Sequence, residues 1–169
     1  GRVTPVALLE PVSLGGSTIS RATLHNQDNL DQLGVGPGDR VWVVRRGDVI
    51  PAVEGVLEKP VPPGPPFRLP ENCPFCSHAL VRVGGHHFCP NGDCPERRRR
   101  QLEHFAGRGQ MDIASLGPQT LSLLFERGWV TRIPDLYRFD FNKLIGAVEG
   151  FGEKRVARIR EELAASRHQ

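Results

Sequence analysis

The first part of the chain alternates apolar and polar positions with the two-residue period of β-strands. The runs "VTPVALLEPV" and "STISRATLHN" flank Gly15-Gly16, which predicts a turn between two strands. The stretch "QDNLDQL" fits a short helix that ends at Gly34, and "DRVWVVRRGDVIPAVEGVLE" predicts two strands around a turn near Gly47-Asp48. This order of elements is that of a small oligonucleotide-binding (OB) type barrel, although another small β-barrel or sandwich would show the same pattern.

A proline-rich stretch, "KPVPPGPPFRLP", interrupts this pattern and favours a stiff, extended connector. From Pro95 onward the apolar spacing is helical, with Pro118 suited to a first helical position and Gly128 to a helix end. We therefore expect a multidomain α+β chain. Its parts are an OB-type barrel with an incomplete first strand (1–59), a linker (60–70), a cysteine module (71–95) and a helical region (96–169).

The helical region contains an internal repeat with an offset of 35 residues, in which "MDIASLGPQTLSLL" aligns with "GAVEGFGEKRVARI". The aligned pairs are Ile113 with Val148, Leu116 with Phe151, Gly117 with Gly152, Leu121 with Val156, and Leu124 with Ile159. Each copy is expected to be a helix, a tight glycine turn and a second helix, which makes two helix-hairpin-helix units.

All four cysteines lie in one short segment. Two residues separate Cys73 from Cys76, twelve follow, and four separate Cys89 from Cys94. Two such pairs can surround one Zn²⁺ tetrahedrally, and a fully cysteine-ligated site leaves no position for water, which indicates a structural metal. The segment has few large apolar residues, so a metal would supply its folding energy. Two disulfides or an Fe–S cluster remain alternatives. His86 or His87 could replace a ligand, although we expect both at an exposed hairpin tip.

The net charge of +3 is only mildly basic, so the placement of the charge is more informative than its total. The four residues of the run 97–100 are all arginines and span one helical turn, so at least two should face solvent. They either form a solvated face or contact phosphate, with Arg97 and Arg98 as the candidates. No apolar run could span a bilayer and no secretion signal is visible, so we expect a cytoplasmic, monomeric protein.

The second glycine turn, "GFG", leads directly into the helix that begins "EKRVARI". Amides of such a turn and of a helix N-terminus form an anion site that suits a phosphodiester. Contacts of this kind recognise the backbone, so binding should be independent of base sequence and sensitive to salt. The residues expected at these sites are Leu116, Gly117, Thr120, Gly150, Phe151, Gly152, Lys154 and Arg155.

Nearly the whole chain resembles the bacterial NAD-dependent DNA ligases. "VTPVALLEPVSLGGSTISRATLHN" and "GDRVWVVRRGDVIPAV" resemble the family's OB-fold domain. The cysteine module with "CPERRRRQLEHFAGRGQMDIASLG" resembles its zinc finger and the entry to its helix-hairpin-helix domain, and "VEGFGEKRVARIREEL" resembles a second hairpin. The resemblance implies an enzyme of DNA replication and repair that encircles nicked duplex DNA and seals the nick, with NAD⁺ and Mg²⁺ as cofactors of the parent.

The same resemblance implies DNA-facing residues on the barrel. For Thr23 and Asn26, strand pairing and turn capping are equal alternatives, and for His25 a partly buried structural histidine is the alternative. The full set implied by the family is Arg21, Thr23, His25, Asn26, Arg45 and Arg46.

Some family features are missing from this sequence. Lys59, Lys143 and Lys154 are the only lysines, and none lies in the Lys-x-Asp-Gly motif that the family adenylates. We therefore expect a DNA-binding portion with no catalytic residue, inactive in adenylation and binding neither NAD⁺ nor Mg²⁺. Ser115 stands where a hairpin glycine is usual, and two hairpins are visible where the family usually has four. A stand-alone zinc and helix-hairpin-helix repair module, or a redox protein using its cysteine pairs, are the alternatives.

Overall fold

The computed structural model describes residues 1–46 and 50–168, with every side chain in these ranges except that of Arg46. The chain divides into two compact units, residues 1–91 and 92–169. The turn predicted near Gly47-Asp48 lies outside the described residues. Among the described residues, no helix combines the length and the apolar character that a bilayer span would need.

The first unit contains a four-stranded sheet and one helix with the predicted order of elements. The elements are β1 (Arg2–Val3), β2 (Val6–Leu14), β3 (Ser17–Thr23), α1 (Gln27–Leu33), β4 (Arg40–Arg46), β5 (Ile50–Glu58), β6 (Val81–Val83) and β7 (His86–Phe88). The sheet order is β2-β3-β5-β4, with β3 and β5 parallel and the other neighbours antiparallel. This curled sheet forms half of a barrel.

Local sequence explains the ends of these elements. Gly15 and Gly16 have φ of 56° and 78°, the left-handed conformation that a tight hairpin between β2 and β3 requires. The side chain of Asn26 caps α1 by accepting from the Asn29 amide, and Gly34 ends the helix in the left-handed conformation. The buried core between sheet and helix comprises Ala22, Leu24, Leu30, Val35 and Val53.

The proline-rich residues 60–70 contain no described helix or strand. They do not form a free spacer, because their backbone is bonded to the barrel. The amide of Phe67 donates to the Val35 carbonyl at 2.7 Å, and the amide of Leu69 donates to Oε1 of the buried Gln27 at 2.9 Å.

A three-stranded sheet, in the order β1-β7-β6, joins the first residues to the cysteine segment. In β1, Arg2 lies opposite Phe88 and Val3 opposite His87. The β6–β7 hairpin turns at residues 84–85, so His86 and His87 lie within the central strand and are half-buried. The expectation that they occupy an exposed hairpin tip is wrong, because both are half-buried in β7, where His86 pairs with β6 and His87 pairs with both β6 and β1.

The second unit is helical. Its elements are α2 (Pro95–Ala106), α3 (Pro118–Glu126), α4 (Ile133–Leu136), a 3-10 helix (Phe141–Leu144) and α5 (Glu153–Ser166). Pro118 is the first residue of α3, as predicted, and Gly128 follows the helix with φ of 68°. One apolar core collects side chains from all these elements.

Both copies of the repeat contribute to this core at the aligned positions. The buried members are Ile113, Leu116, Leu121, Leu124, Phe151, Val156 and Ile159, and Val148 is half-buried against them. The elements ahead of the two turns are shorter than predicted. Residues 107–117 form turns rather than a helix, and only a four-residue 3-10 helix precedes the second turn. A complete helix-hairpin-helix unit in each copy therefore stays a prediction.

Candidate metal centre and nucleic-acid interface

The four cysteine sulfurs form a compact cluster. Those of Cys73, Cys76, Cys89 and Cys94 all lie within 4.8 Å of one another. None forms a disulfide, and the Cys76 and Cys89 sulfurs are 3.5 Å apart, well beyond the length of a sulfur–sulfur bond. Sulfurs around a tetrahedral Zn²⁺ would be about 3.8 Å apart, because each Zn–S bond is about 2.3 Å. The donor set and its spacing therefore fit one metal ion.

Backbone hydrogen bonds shape the first pair of cysteines. The amide of Ser77 donates to the Cys73 carbonyl at 2.9 Å, and the amide of Cys73 donates to the His78 carbonyl at 2.8 Å. A hydrogen bond from the backbone of His78 is the main cause that lowers the pKa of the Cys76 thiol to about 6. A thiol that ionises near neutral pH is ready to bind a metal as the thiolate.

The arginine run on α2 is less available than its sequence indicates. Arg98 is paired with Asp93, while Arg99 and Arg100 both pair with Glu96 and Glu103. Only Arg100 is exposed, so the expectation that at least two of the four face solvent is wrong. The acidic neighbours lie three or four residues away on the helix, where ion pairs form readily. Among the described residues, Arg97 is the member of the run with no ion pair.

The turn between β3 and α1 gives three of the predicted barrel residues distinct roles. The hydroxyl of Thr23 accepts from the His25 amide at 3.1 Å, and Asn26 caps α1. Both side chains therefore have the structural role that was the alternative to DNA contact. His25 is exposed with φ of 59°, so the alternative of a partly buried histidine is wrong.

The predicted arginines of the barrel lie on its strands. Arg21 on β3 is exposed, whereas Arg45 on β4 is half-buried and donates to the Ser17 hydroxyl at 3.1 Å. The side chain of Arg46 lies outside the described residues.

The first glycine turn and the cations that follow the second glycine turn line one open groove. Gly117 and Gly152 are the N-caps of α3 and α5, both with extended backbone, and an added Cβ on either would meet no atom within 4 Å. The first amides of a helix have no partner within the helix, so they are available to an anion. The lining residues are Ala114, Ser115, Gly117, Pro118, Gln119, Thr120, Lys154, Arg155 and Arg158.

Arg155 links the two copies at this groove. It donates to the Gly150 carbonyl at 3.2 Å and to the Thr120 hydroxyl at 3.0 Å, and its guanidinium lies 3.9 Å from the centre of the Phe151 ring. Thr120 is the residue of the first copy aligned with Arg155, so equivalent positions of the repeat are in contact.

Three residues predicted to contact DNA have buried side chains, so any contact with DNA would have to be through their backbone. Leu116, Thr120 and Phe151 are only 2%, 4% and 7% exposed. The amides of Leu116 and Phe151 donate to the carbonyls of Ile113 and Val148. These side chains position the turns, and the exposed groups that remain are Gly117, Gly152 and the cations of α5.

Sequence analysis missed Arg158, which lies one helical turn beyond Lys154 and lines the same groove. The four-residue spacing of these two cations was the available signal, because residues at that spacing share one face of a helix.

Comparison with known proteins shows that this chain is similar to bacterial DNA ligases. Residues 1–63 match the family model of the NAD-dependent DNA ligase OB-fold domain. The chain is 44% identical over 170 residues to the DNA ligase of Leptospira biflexa, covering 99% of this chain and 25% of that protein. It is 43% identical over 171 residues to the DNA ligase of Koribacter versatilis, again covering 99% and 25%. The DNA ligase of a Synechococcus species is 44% identical over 172 residues, covering 100% and 25%.

The predicted resemblance to bacterial NAD-dependent DNA ligases is thereby confirmed. The chain spans about a quarter of the length of these curated relatives.

Proposed function

We propose that this chain, which is similar along its length to a segment of bacterial NAD-dependent DNA ligases, is a DNA-holding portion of such an enzyme. It grips the backbone of nicked duplex DNA without reading base sequence. The observation that supports this most directly is the groove beside the N-termini of α3 and α5, which is lined by Gly117 and by the cations Lys154, Arg155 and Arg158. Cations beside helix N-termini suit phosphate oxygens.

The four cysteines hold a structural Zn²⁺ in this proposal. Four sulfurs would fill every ligand position, which is typical of a structural zinc site. Its coordination bonds keep the cysteine segment folded. Among metals, a four-sulfur tetrahedral set suits zinc, with iron–sulfur chemistry as the competing assignment.

The ligation chemistry of the parent enzyme takes place elsewhere in the polypeptide. NAD⁺ and Mg²⁺ belong to the adenylation step, which needs a lysine in a Lys-x-Asp-Gly motif, and the three lysines here lie in other contexts. This portion contributes duplex binding as a monomer in the bacterial cytoplasm and contributes no catalytic group.

The test is Gly152→Val, measured by fluorescence anisotropy on nicked duplex DNA at stepped salt concentrations. The backbone of Gly152 suits a β-branched residue and the space beside it is open, so the variant should fold. We expect about tenfold weaker binding at low salt, because the side chain blocks a charge-assisted hydrogen bond to phosphate.

Gly92→Val is the matched control, since an added Cβ there also meets no atom within 4 Å and Gly92 does not line the groove. Equal affinities of the two variants, with helicity preserved in both, would refute the proposed role of the second turn. Two duplexes of unrelated sequence should bind equally well, with log Kd depending on log salt.

A further inference from the structure

A carboxylate from the second copy of the repeat occupies the turn of the first copy. Glu162 of α5 accepts from the Ser115 amide at 2.8 Å and from the Ser115 hydroxyl at 3.0 Å. It also accepts from Nε of Arg158 at 3.1 Å. A backbone amide, a hydroxyl and a guanidinium are the donors that proteins present to DNA phosphates. Here they are already bound to an internal anion.

The second turn lacks such an anion. The residue aligned with Ser115 is Gly150, and the residue aligned with Glu162 in the first copy is Arg127. Gly150 has φ of 80°, whereas Ser115 is not among the residues with positive φ, so the two turns also differ in backbone conformation. Among the described residues, no carboxylate is bonded to the Gly150 turn. The two copies are therefore alike in their core and different at the groove.

We infer that Glu162 stands in for a phosphate at the first turn, so that the Ser115 donors do not bind DNA. This inference rests on the proposed function. A phosphate at Ser115 would have to displace a carboxylate that is only 20% exposed, leaving it without two of its donors. The same charge partly neutralises Arg158, one of the three cations of the groove.

Glu162→Gln tests this with little change of shape. Without the charge, a phosphate can compete for Ser115, so the variant should bind duplex DNA about three- to tenfold more tightly than the unmodified chain. The slope of log Kobs against log salt should steepen by about 0.9, the value of one added phosphate contact.

Glu161→Gln is the matched control, because it removes the same charge from the adjacent, exposed position, for which no hydrogen bond or ion pair is described. It should leave the salt slope unchanged. Equal slopes for the two variants, or weaker binding by Glu162→Gln, would overturn the inference and make Glu162 a simple brace of the turn. Gly152→Val tests the proposed DNA-binding function and does not involve Glu162. A failure of the proposed function can therefore be distinguished from a failure of the inference about Glu162.

Inorganic phosphate followed by amide NMR shifts gives a second measurement that does not depend on duplex binding. In the unmodified chain, phosphate should shift the amides of Gly152 and Lys154 but not that of Ser115. In Glu162→Gln, the Ser115 amide should respond as well. A Ser115 amide that is silent in the variant would overturn the inference whatever the duplex measurements show. Ser115→Ala, which removes one bond and keeps the amide, should give an intermediate response if Glu162→Gln disturbs folding.

Discussion

The cysteine segment and the helical unit bury very different side chains. Between residues 71 and 90, the only buried side chains are those of Cys73 and Cys89, while Phe75 and Val83 are 59% and 62% exposed. In the helical unit, apolar side chains from every element form one buried cluster, and Leu124 within it is 0% exposed. The cysteine segment buries sulfur, whereas the helical unit buries apolar side chains.

The free energies of metal binding and of apolar burial show how a bound metal can replace a hydrophobic core. A fully buried leucine stabilises a fold by about 1.5–3 kcal/mol. A structural zinc ion contributes about 10–16 kcal/mol of apparent binding free energy in small finger peptides. One metal can therefore take the place of several buried apolar side chains, which the cysteine segment does not have.

The largest expected effect comes from removing a ligand. Cys89→Ser should abolish metal binding and open the β6–β7 hairpin, because no apolar core replaces the lost coordination. The helical unit should keep its structure, since its core contains no cysteine. Metal content by mass spectrometry and amide exchange at Phe88 measure the two parts of this prediction.

His86→Asn is the control for Cys89→Ser, because His86 lies close to the cysteines in sequence but is not in the sulfur cluster. It should retain one metal per chain. A metal-free chain with oxidised cysteines, or loss of metal in His86→Asn, would contradict the four-sulfur site and favour a disulfide or a mixed-ligand alternative.

The next largest effect is expected from a change in the apolar core of the helical unit. Leu124→Ala should lower the free energy of unfolding of the helical unit by about 2–5 kcal/mol, the range for large-to-small changes in a close-packed core. Its metal content should not change. Chemical denaturation followed by far-UV circular dichroism measures this loss of stability.

Ile145→Ala removes the same number of carbon atoms from a side chain that is already 38% exposed, and should cost less than about 1 kcal/mol. If the two variants were equally stable, the helical unit would not depend on its buried cluster.

Local patterns made much of this architecture predictable. The apolar spacing identified the barrel strands and the aligned core positions, because burial imposes a period on the chain. The cysteine spacing predicted a cluster of four sulfurs, and the four sulfurs do lie within 4.8 Å of one another. The number of solvent-facing arginines in the run 97–100 was overestimated, although Glu96 and Glu103 lie within one helical turn of Arg99 and Arg100 and pair with both. The prediction counted the positive charges of the run without considering the ion pairs that they could form.

Other features had no local signal. Ser115 and Glu162 are 47 residues apart, and Arg82 and Asp28 are 54 apart, so only the folded chain brings them together. The left-handed backbone of His25 could not be read from the sequence, because only a small fraction of non-glycine residues adopts it, although histidine is enriched among them.

The cysteine segment also has supports besides sulfur, one of which is the pairing of β7 with β1 and another a contact with α1. Its hairpin contacts the N-terminus of α1, where the Gln27 amide donates to the Gly85 carbonyl at 3.2 Å and Arg82 pairs with Asp28 at 2.6 Å. The ion pair is more than half exposed on both sides, so it should contribute less than about 1 kcal/mol. A substitution that weakens only this contact therefore tests whether the cysteine segment stays folded without it.

Gly85→Ala should weaken this contact and leave the metal in place. An added Cβ would lie 2.4 Å from Oδ2 of Asp28, so that carboxylate must turn away from Arg82. We expect modestly faster amide exchange at Gln27, with unchanged metal content. Gly92→Ala, which has open space, should have no effect, and Asp28→Ala combined with Gly85→Ala should relieve the clash. Metal loss in Gly85→Ala would instead mean that contact with α1, and not the four sulfurs alone, holds this segment in its folded form.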